Sequence, residues 1–176
     1  MRPVLHFRQT LCGILASLMT TCAFSAQKAP EHDLKAAYIY NFIQFTEWPE
    51  DGLKSSTLNV CASAGTVLYV ALQAIVGKTS HNRTIALKSL QTTPATDCNV
   101  LIAEKSDREL YSQIRPKIAN LPILTISDDA ELTTGDFMIT IAILNERIRF
   151  VINSTRALEV KMVFSSRLLR LAAKVL

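Results

Sequence analysis

The hydrophobic pattern of the chain is organised around Leu34 to Pro49, LKAAYIYNFIQFTEWP. At 100° per residue, Leu34, Ala37, Tyr38, Phe42, Phe45 and Trp48 fall on one broad stripe, with Asn41 in its middle. Ala36, Ile39 and Ile43 form a second, narrower stripe on the far side, and Ile39/Ile43 reads as core more readily than as interface. A helix apolar on two sides is buried twice, or buried once and offered to a partner once. Pro49 disfavours the helical conformation at Trp48, so the spacing predicts one helix of about four turns, with Asp33 as its N-cap. Asn41 reads as a buried amide with its hydrogen bonds satisfied.

Shorter apolar runs follow at regular intervals. Leu58 to Ala62 and Cys98 to Ala103 read as buried strands, and Leu121 to Ile126 as a third. Thr66 caps a predicted helix over Val67 to Val76 that Gly77 ends. Arg83 to Leu87 has β character. Asp107 to Ala119 reads as an exposed amphipathic helix, kinked or cut short by Pro116. Continuous apolar strands separated by helices predict a largely parallel sheet.

The last third changes style. Phe137 to Leu144 and Arg147 to Asn153 predict a hairpin over Asn145-Glu146. Ile148, Phe150 and Ile152 alternate with Arg147, Arg149 and Val151, which places one set in the core and the other in solvent. Asn153 or Ser154 caps a short helix through Val160. Ser165 or Ser166 caps a final one, with Leu168, Leu171, Ala172 and Val175 inward and Arg167, Arg170 and Lys174 outward. The expected fold is a single α/β domain: a mixed sheet with a largely parallel part and a C-terminal hairpin, and helices on both faces.

Length and charge refine this picture. With 176 residues, one domain of ordinary size is expected. Met1 to Thr10 carries Arg2 and Arg8 and no acid, and Leu11 to Ala26 is apolar and uncharged. These are the n- and h-regions of a signal peptide over residues 1–25, too short to span a membrane, followed by a domain over residues 27–176. Loss of Arg2 and Arg8 takes the formal net charge from +4 to +2, too little to argue for nucleic acid or a membrane surface as partner. Cys61 and Cys98 are then the two cysteines left in an exported chain, where a bridge is favoured over two buried thiols.

Little in the chain points to catalysis. His6 lies in the signal peptide, and His32 and His81 sit in separate polar segments without triad or metal-site partners. No G-x-S-x-G, H-E-x-x-H or C-x-x-C pattern occurs. Asp128-Asp129, with Glu131 and Asp136 near, lacks the order and glycine of a calcium loop and reads as a solvated turn. Gly65-Thr66 is one glycine at a tight turn, far short of a phosphate loop. No metal and no cofactor is expected. Arg147, Arg149, Arg167, Arg170 and Lys174 read as solvated charge, or as contacts for an acidic partner.

Four stretches together resemble the YfiR-like family: KAAYIYNFIQFTEWP; Cys61 and Cys98 on two strands; the strand Leu121 to Ser127 ending in SDD; and FMITIAILNERIRFVINSTRAL followed by SSRLLRLAAKV. The resemblance covers almost the whole mature chain. It implies a small mixed α/β domain in the periplasm, with Cys61 and Cys98 bridged. It also implies repression of a membrane-bound diguanylate cyclase through that enzyme's periplasmic sensor region, relieved by an outer-membrane OmpA-like lipoprotein. In the F-x-I-N of that family the variable residue and the strand-to-helix segment after it contact the partner; here they are Val151 and Ser154 to Leu158. The chain departs from the pattern in having Val151 where Glu is common, and in having no cysteine pair near the last hairpin. The candidate partner contacts are Ile39, Ile43, Arg147, Arg149, Val151, Ser154, Ala157 and Leu158. A homodimer is left open. The alternative function is a periplasmic small-molecule sensor or carrier, which a closed apolar pocket would favour.

Overall fold

The computed structural model describes residues 30–50, 52, 55–129, 136–145 and 147–176. The signal-peptide reading, Glu131 and Glu146 lie outside the described residues. In chain order the elements are α1 (Glu31–Gln44), β1 (Thr46–Glu47), β2 (Thr57–Ala62), α2 (Val67–Leu72), β3 (Thr79–Ser80), β4 (Arg83–Ser89), β5 (Val100–Ala103), α3 (Arg108–Ile118), β6 (Leu124–Ser127), β7 (Ile139–Leu144), β8 (Arg147–Ile152), α4 (Ser154–Glu159), β9 (Val163–Phe164), α5 (Ser166–Leu171) and β10 (Lys174–Val175). Single 3₁₀ turns extend α2, precede β5 and lead into α3.

Eight strands form one mixed sheet in the order β10-β8-β7-β6-β5-β2-β4-β3. The run from β7 through β6, β5 and β2 to β4 is parallel, as is the β8–β10 pair. The β7–β8 hairpin and the short β3–β4 pair are antiparallel. β1 and β9 make a separate two-stranded ribbon. The expected α/β class with a mixed sheet is therefore what the chain forms.

The two faces of the sheet are covered unequally. The larger core joins α1 (Ile39, Phe42, Ile43), α2 (Leu68, Leu72) and the hairpin residues Ile139, Ile141, Phe150 and Ile152. The smaller core lies under α3, whose Tyr111, Ile114 and Ile118 pack with Leu101, Ile123 and Phe137. Cys61 and Cys98 belong to this smaller core and are bridged, with Cα atoms 5.9 Å apart. The bridge closes a separation of 37 residues, which in the chain-entropy account contributes roughly 4 kcal/mol.

The organising helix turns its Ile39/Ile43 side inward, as the core reading of that stripe expects, and departs from expectation at Asn41 and at both ends. It is the narrow stripe that faces the core: Ala36, Ile39 and Ile43 are buried, together with Phe42 and Lys35. Leu34 is 38% exposed, and Ala37 and Asn41 are exposed. The two tyrosines flank the buried stripe and are half-buried. Tyr40 donates its hydroxyl to the Thr79 carbonyl, and the Tyr38 ring packs at the flank against Phe42 and Phe150. The helix also ends earlier than Pro49 requires. Thr46 Oγ1 donates to the Phe42 carbonyl at 2.7 Å, satisfying one of the acceptors a helix end leaves open, and Thr46-Glu47 then pairs with β9. At the other end Pro30, not Asp33, is the cap residue; Glu31 and Asp33 lie in the first turn, where carboxylates suit the helix dipole.

The remaining boundaries follow the pattern closely. Thr66 caps α2 by accepting from the Tyr69 amide, Asn153 caps α4 through Arg156, and Ser165 caps α5 through Leu168. Pro116 sits inside α3 without ending it. The final helix is shorter than expected. Leu168 is buried, but Leu171 is 64% exposed, and Lys174-Val175 leave the helix to pair with β8.

Candidate functional site

The hairpin is built by strict alternation. Its register pairs Thr140 with Val151, Ala142 with Arg149 and Leu144 with Arg147. Asn145, at φ 50°, takes the left-handed conformation a tight hairpin turn needs. Phe150 goes inward, its ring 4.9 Å from that of Phe42. Arg147 and Arg149 go outward and are exposed, and Val151 beside them is half-buried. β10 then places Lys174 opposite Val151, adding a third cation to this face.

The eight candidate contacts divide clearly. Arg147, Arg149 and Leu158 are exposed, Leu158 at 61%. Val151 and Ser154 are half-buried, and the Ser154 amide donates to the Leu176 carbonyl at 2.9 Å. Ile39 and Ile43 are fully buried, and Ala157 is 1% exposed; these three are core residues, not surface offered to a partner. Ala157 faces inward because α4 is too short to have more than one inner position. Lys174 was expected on the last helix beside Arg167 and Arg170; its place next to β8 was not foreseen, because a two-residue strand has no periodicity to reveal it.

A second polar region lies at the C-terminal ends of β2, β5 and β6. The chain leaves β2 towards β4 on one side and β5 towards β6 on the other, so these ends flank the point where the strand order reverses. Ser63 donates its hydroxyl to Asp107 Oδ1 at 2.5 Å, and the Glu104 amide donates to Asp107 Oδ2 at 2.9 Å. Lys35 reaches across from α1 to Asp128 at 2.8 Å and to Glu31 at 2.7 Å. Arg108 pairs with Asp129 at 3.2 Å.

Burial dominates the electrostatics here. It raises the pKa of Glu104, which Thr66 only partly offsets. It also raises that of Asp128 in spite of the Lys35 hydrogen bond. For Lys35 burial acts downward, but the hydrogen bonds to Asp128 and Glu31 prevail and hold the ammonium above its usual value. Glu31, hydrogen-bonded by Lys35, is lowered. Lys35, Glu31 and Asp128 are committed to one another and tie α1 to the sheet, whereas Glu104 is bonded by Thr66 and keeps one buried oxygen without a partner among the described residues. Among the described residues, no three His, Cys, Asp or Glu side chains are grouped so as to hold a metal. His81 bonds through Nε2 to the Ile43 carbonyl at 3.0 Å and packs edge-on to Trp48.

A groove of about 610 Å³ opens at the other end of the parallel strands, lined by Asn59, Asp97, Asn99, Asn120 and Lys161 among others. Its asparagines are occupied in part by the fold: Asn59 Nδ2 donates to the Asp97 carbonyl, and Asn99 Oδ1 accepts from the Asn59 amide.

The sequence profile of a family described as YfiR/HmsC-like matches residues 32–173, from the first turn of α1 to the residue before β10. The chain belongs to the YfiR/HmsC-like family. No curated protein matches the sequence. The family match takes in both cores, the bridged cysteines and the whole β7–β8 hairpin of this YfiR/HmsC-like domain, and leaves out only the edge strand β10 and the residues at either end.

Proposed function

We propose that this YfiR/HmsC-like protein is an exported regulatory binding protein that holds off a membrane-bound diguanylate cyclase by docking on its periplasmic sensor region. The family match over residues 32–173 carries this reading. The Cys61–Cys98 bridge supports the compartment, since structural disulfides persist where the surroundings are oxidising. The exposed arginines of β8 support action through a surface, as do carboxylates and a lysine engaged with one another at the strand ends. The protein acts without chemistry of its own. An OmpA-like outer-membrane lipoprotein would relieve the repression by taking the same protein away from the cyclase.

The test is direct. Purified protein is mixed with the periplasmic region of a diguanylate cyclase encoded beside it, and cyclic-di-GMP formation by the membrane-embedded enzyme is followed. A stoichiometric complex is expected, burying about 1,200 Å² or more as specific complexes do, with cyclase output falling as it forms. Absence of a complex, or a complex that leaves cyclase output unchanged, refutes the proposal.

A further inference from the structure

The outward face of the β7–β8–β10 edge differs from the rest of the sheet. α3 is the helix on that side, and its buried residues pack on Leu101, Ile123 and Phe137. It stops short of the outer half of the hairpin, where Ala142 and Val151 are half-exposed and Arg147 and Arg149 exposed. Arg147 and Arg149 are two residues apart on one strand, so their side chains leave the same face about 7 Å apart. Lys174 stands across from Val151 in the next strand, about 5 Å away in the hydrogen-bonding direction.

Some cations elsewhere in the fold are paired and others, such as Lys117 and Arg170, stand singly in solvent; this face differs in holding three together. Lys35 pairs with Glu31 and Asp128, Arg108 with Asp129, Arg115 with Asp136, and Arg156 with Glu159. Arg147, Arg149 and Lys174 have no carboxylate partner among the described residues. Three neighbouring like charges on an uncovered sheet face repel one another, and an opposite charge laid across them removes that cost. Val151 lies between Arg149 and Lys174, and the neighbouring β7 positions on this face are the short Thr140 and Ala142, with exposed Leu144 opposite Arg147 at the hairpin end. A chain segment can therefore lie against the sheet between the long cationic side chains. Two of the three cations are arginines, whose planar fork holds a carboxylate through two hydrogen bonds.

We infer that this face receives an acidic segment of a partner protein, with Arg147, Arg149 and Lys174 taking its carboxylates. The inference rests on the proposed binding function and specifies the chemistry of the partner. It also assigns Lys174 to the contact and leaves the buried Ile39, Ile43 and Ala157 out of it.

Two probes separate this inference from the cyclase reading. The first is a Glu/Asp-rich peptide of about fifteen residues, titrated into the isotope-labelled protein. Saturable amide shifts at Ala142, Arg149, Val151 and Lys174 that vanish in Arg147→Glu/Arg149→Glu are expected; shifts elsewhere, or none, overturn the inference. The second is the periplasmic region of the adjacent cyclase. The double variant should weaken binding at least tenfold and flatten its salt dependence, whereas Lys117→Glu on exposed α3 should change neither. An unaltered near-ultraviolet circular dichroism spectrum confirms that each variant is folded. If the native protein takes the peptide but not the cyclase region, the acidic face stands and the cyclase reading falls. If the double variant binds the cyclase region as tightly as the native protein, the cyclase reading stands and the acidic face falls. Capture by phosphatidylglycerol vesicles with no response to the peptide would assign the face to a lipid surface and overturn the inference.

Discussion

Lys35 is a lysine only 6% exposed, on the inner side of a helix otherwise lined by alanine, isoleucine and phenylalanine. It is tolerated because Asp128 lies 2.8 Å away and Glu31 is one turn back on the same helix. Replacing it with methionine keeps much of the packing but strands the Asp128 carboxylate, and losing one partner of a buried pair costs about 3 kcal/mol. The loss should depend on pH. Burial already holds the Asp128 pKa above its ordinary value, and removing Lys35 raises it further. A raised folded-state pKa means stability that is present below the unfolded value and is lost as pH rises through the folded one. Lys35→Met should therefore be most damaging near pH 7.5 and approach the native protein as the pH falls towards 4. Urea unfolding at both ends of that range, with Lys35→Met/Asp128→Leu as the second variant, measures it. An equal deficit at all pH values would show that Asp128 is not the group left stranded.

Between elements, the β3–β4 hairpin stores a small strain that one substitution should release. His81 and Asn82 both take positive φ, 50° and 59°, as the two central residues of a tight hairpin turn do. His81 is held there by its bond to the Ile43 carbonyl and its contact with Trp48. Asn82 is exposed. Asn82→Gly should raise stability by about 0.5 kcal/mol in urea unfolding, since glycine adopts this conformation without a steric penalty. His81→Gly should lower it by losing both contacts. The elements that sequence pattern revealed were those long enough to show a period: the strands around Val60, Leu101 and Ile126, the helix α3, and the alternating β8. The elements it hid were β1, β3, β9 and β10, each two residues long. This limit propagated to the site. Arg147 and Arg149 were placed on one face by alternation alone, whereas Lys174, read as part of a helical cationic face, joined them only once β10 was paired. The pattern also could not say which side of α1 was the inner one. Both stripes are apolar, and packing against Phe150 and the sheet selected the side centred on Ile39 and Ile43.

The molecule as a whole is two cores of unequal size on one sheet. Among the described residues, 26 buried side chains make up the core beneath α1 and α2, against 10 beneath α3. The disulfide belongs to the smaller one, where both cysteines count among those ten. Regions with less buried contact open first, at free energies below that of global unfolding. The bridge ties β2 to the turn before β5 at the place where the covering layer is a single helix of eleven residues. Its removal should therefore be felt unevenly. In Cys61→Ala/Cys98→Ala the global stability falls by up to roughly 4 kcal/mol. Beyond that common loss, amides of α3 and β5 should exchange through a new partial opening, while α1, β7 and β8 keep exchanging only with global unfolding. Hydrogen exchange followed by mass spectrometry on the native and double-alanine proteins reads this directly. If protection falls by the same factor in α1, α3 and the hairpin, the two cores open together, and the bridge stabilises the domain as one unit with no separable part. If α3 alone loses extra protection, the binding face on β7–β8 stays formed in the unbridged protein, and its affinity for an acidic peptide should survive the loss of the disulfide.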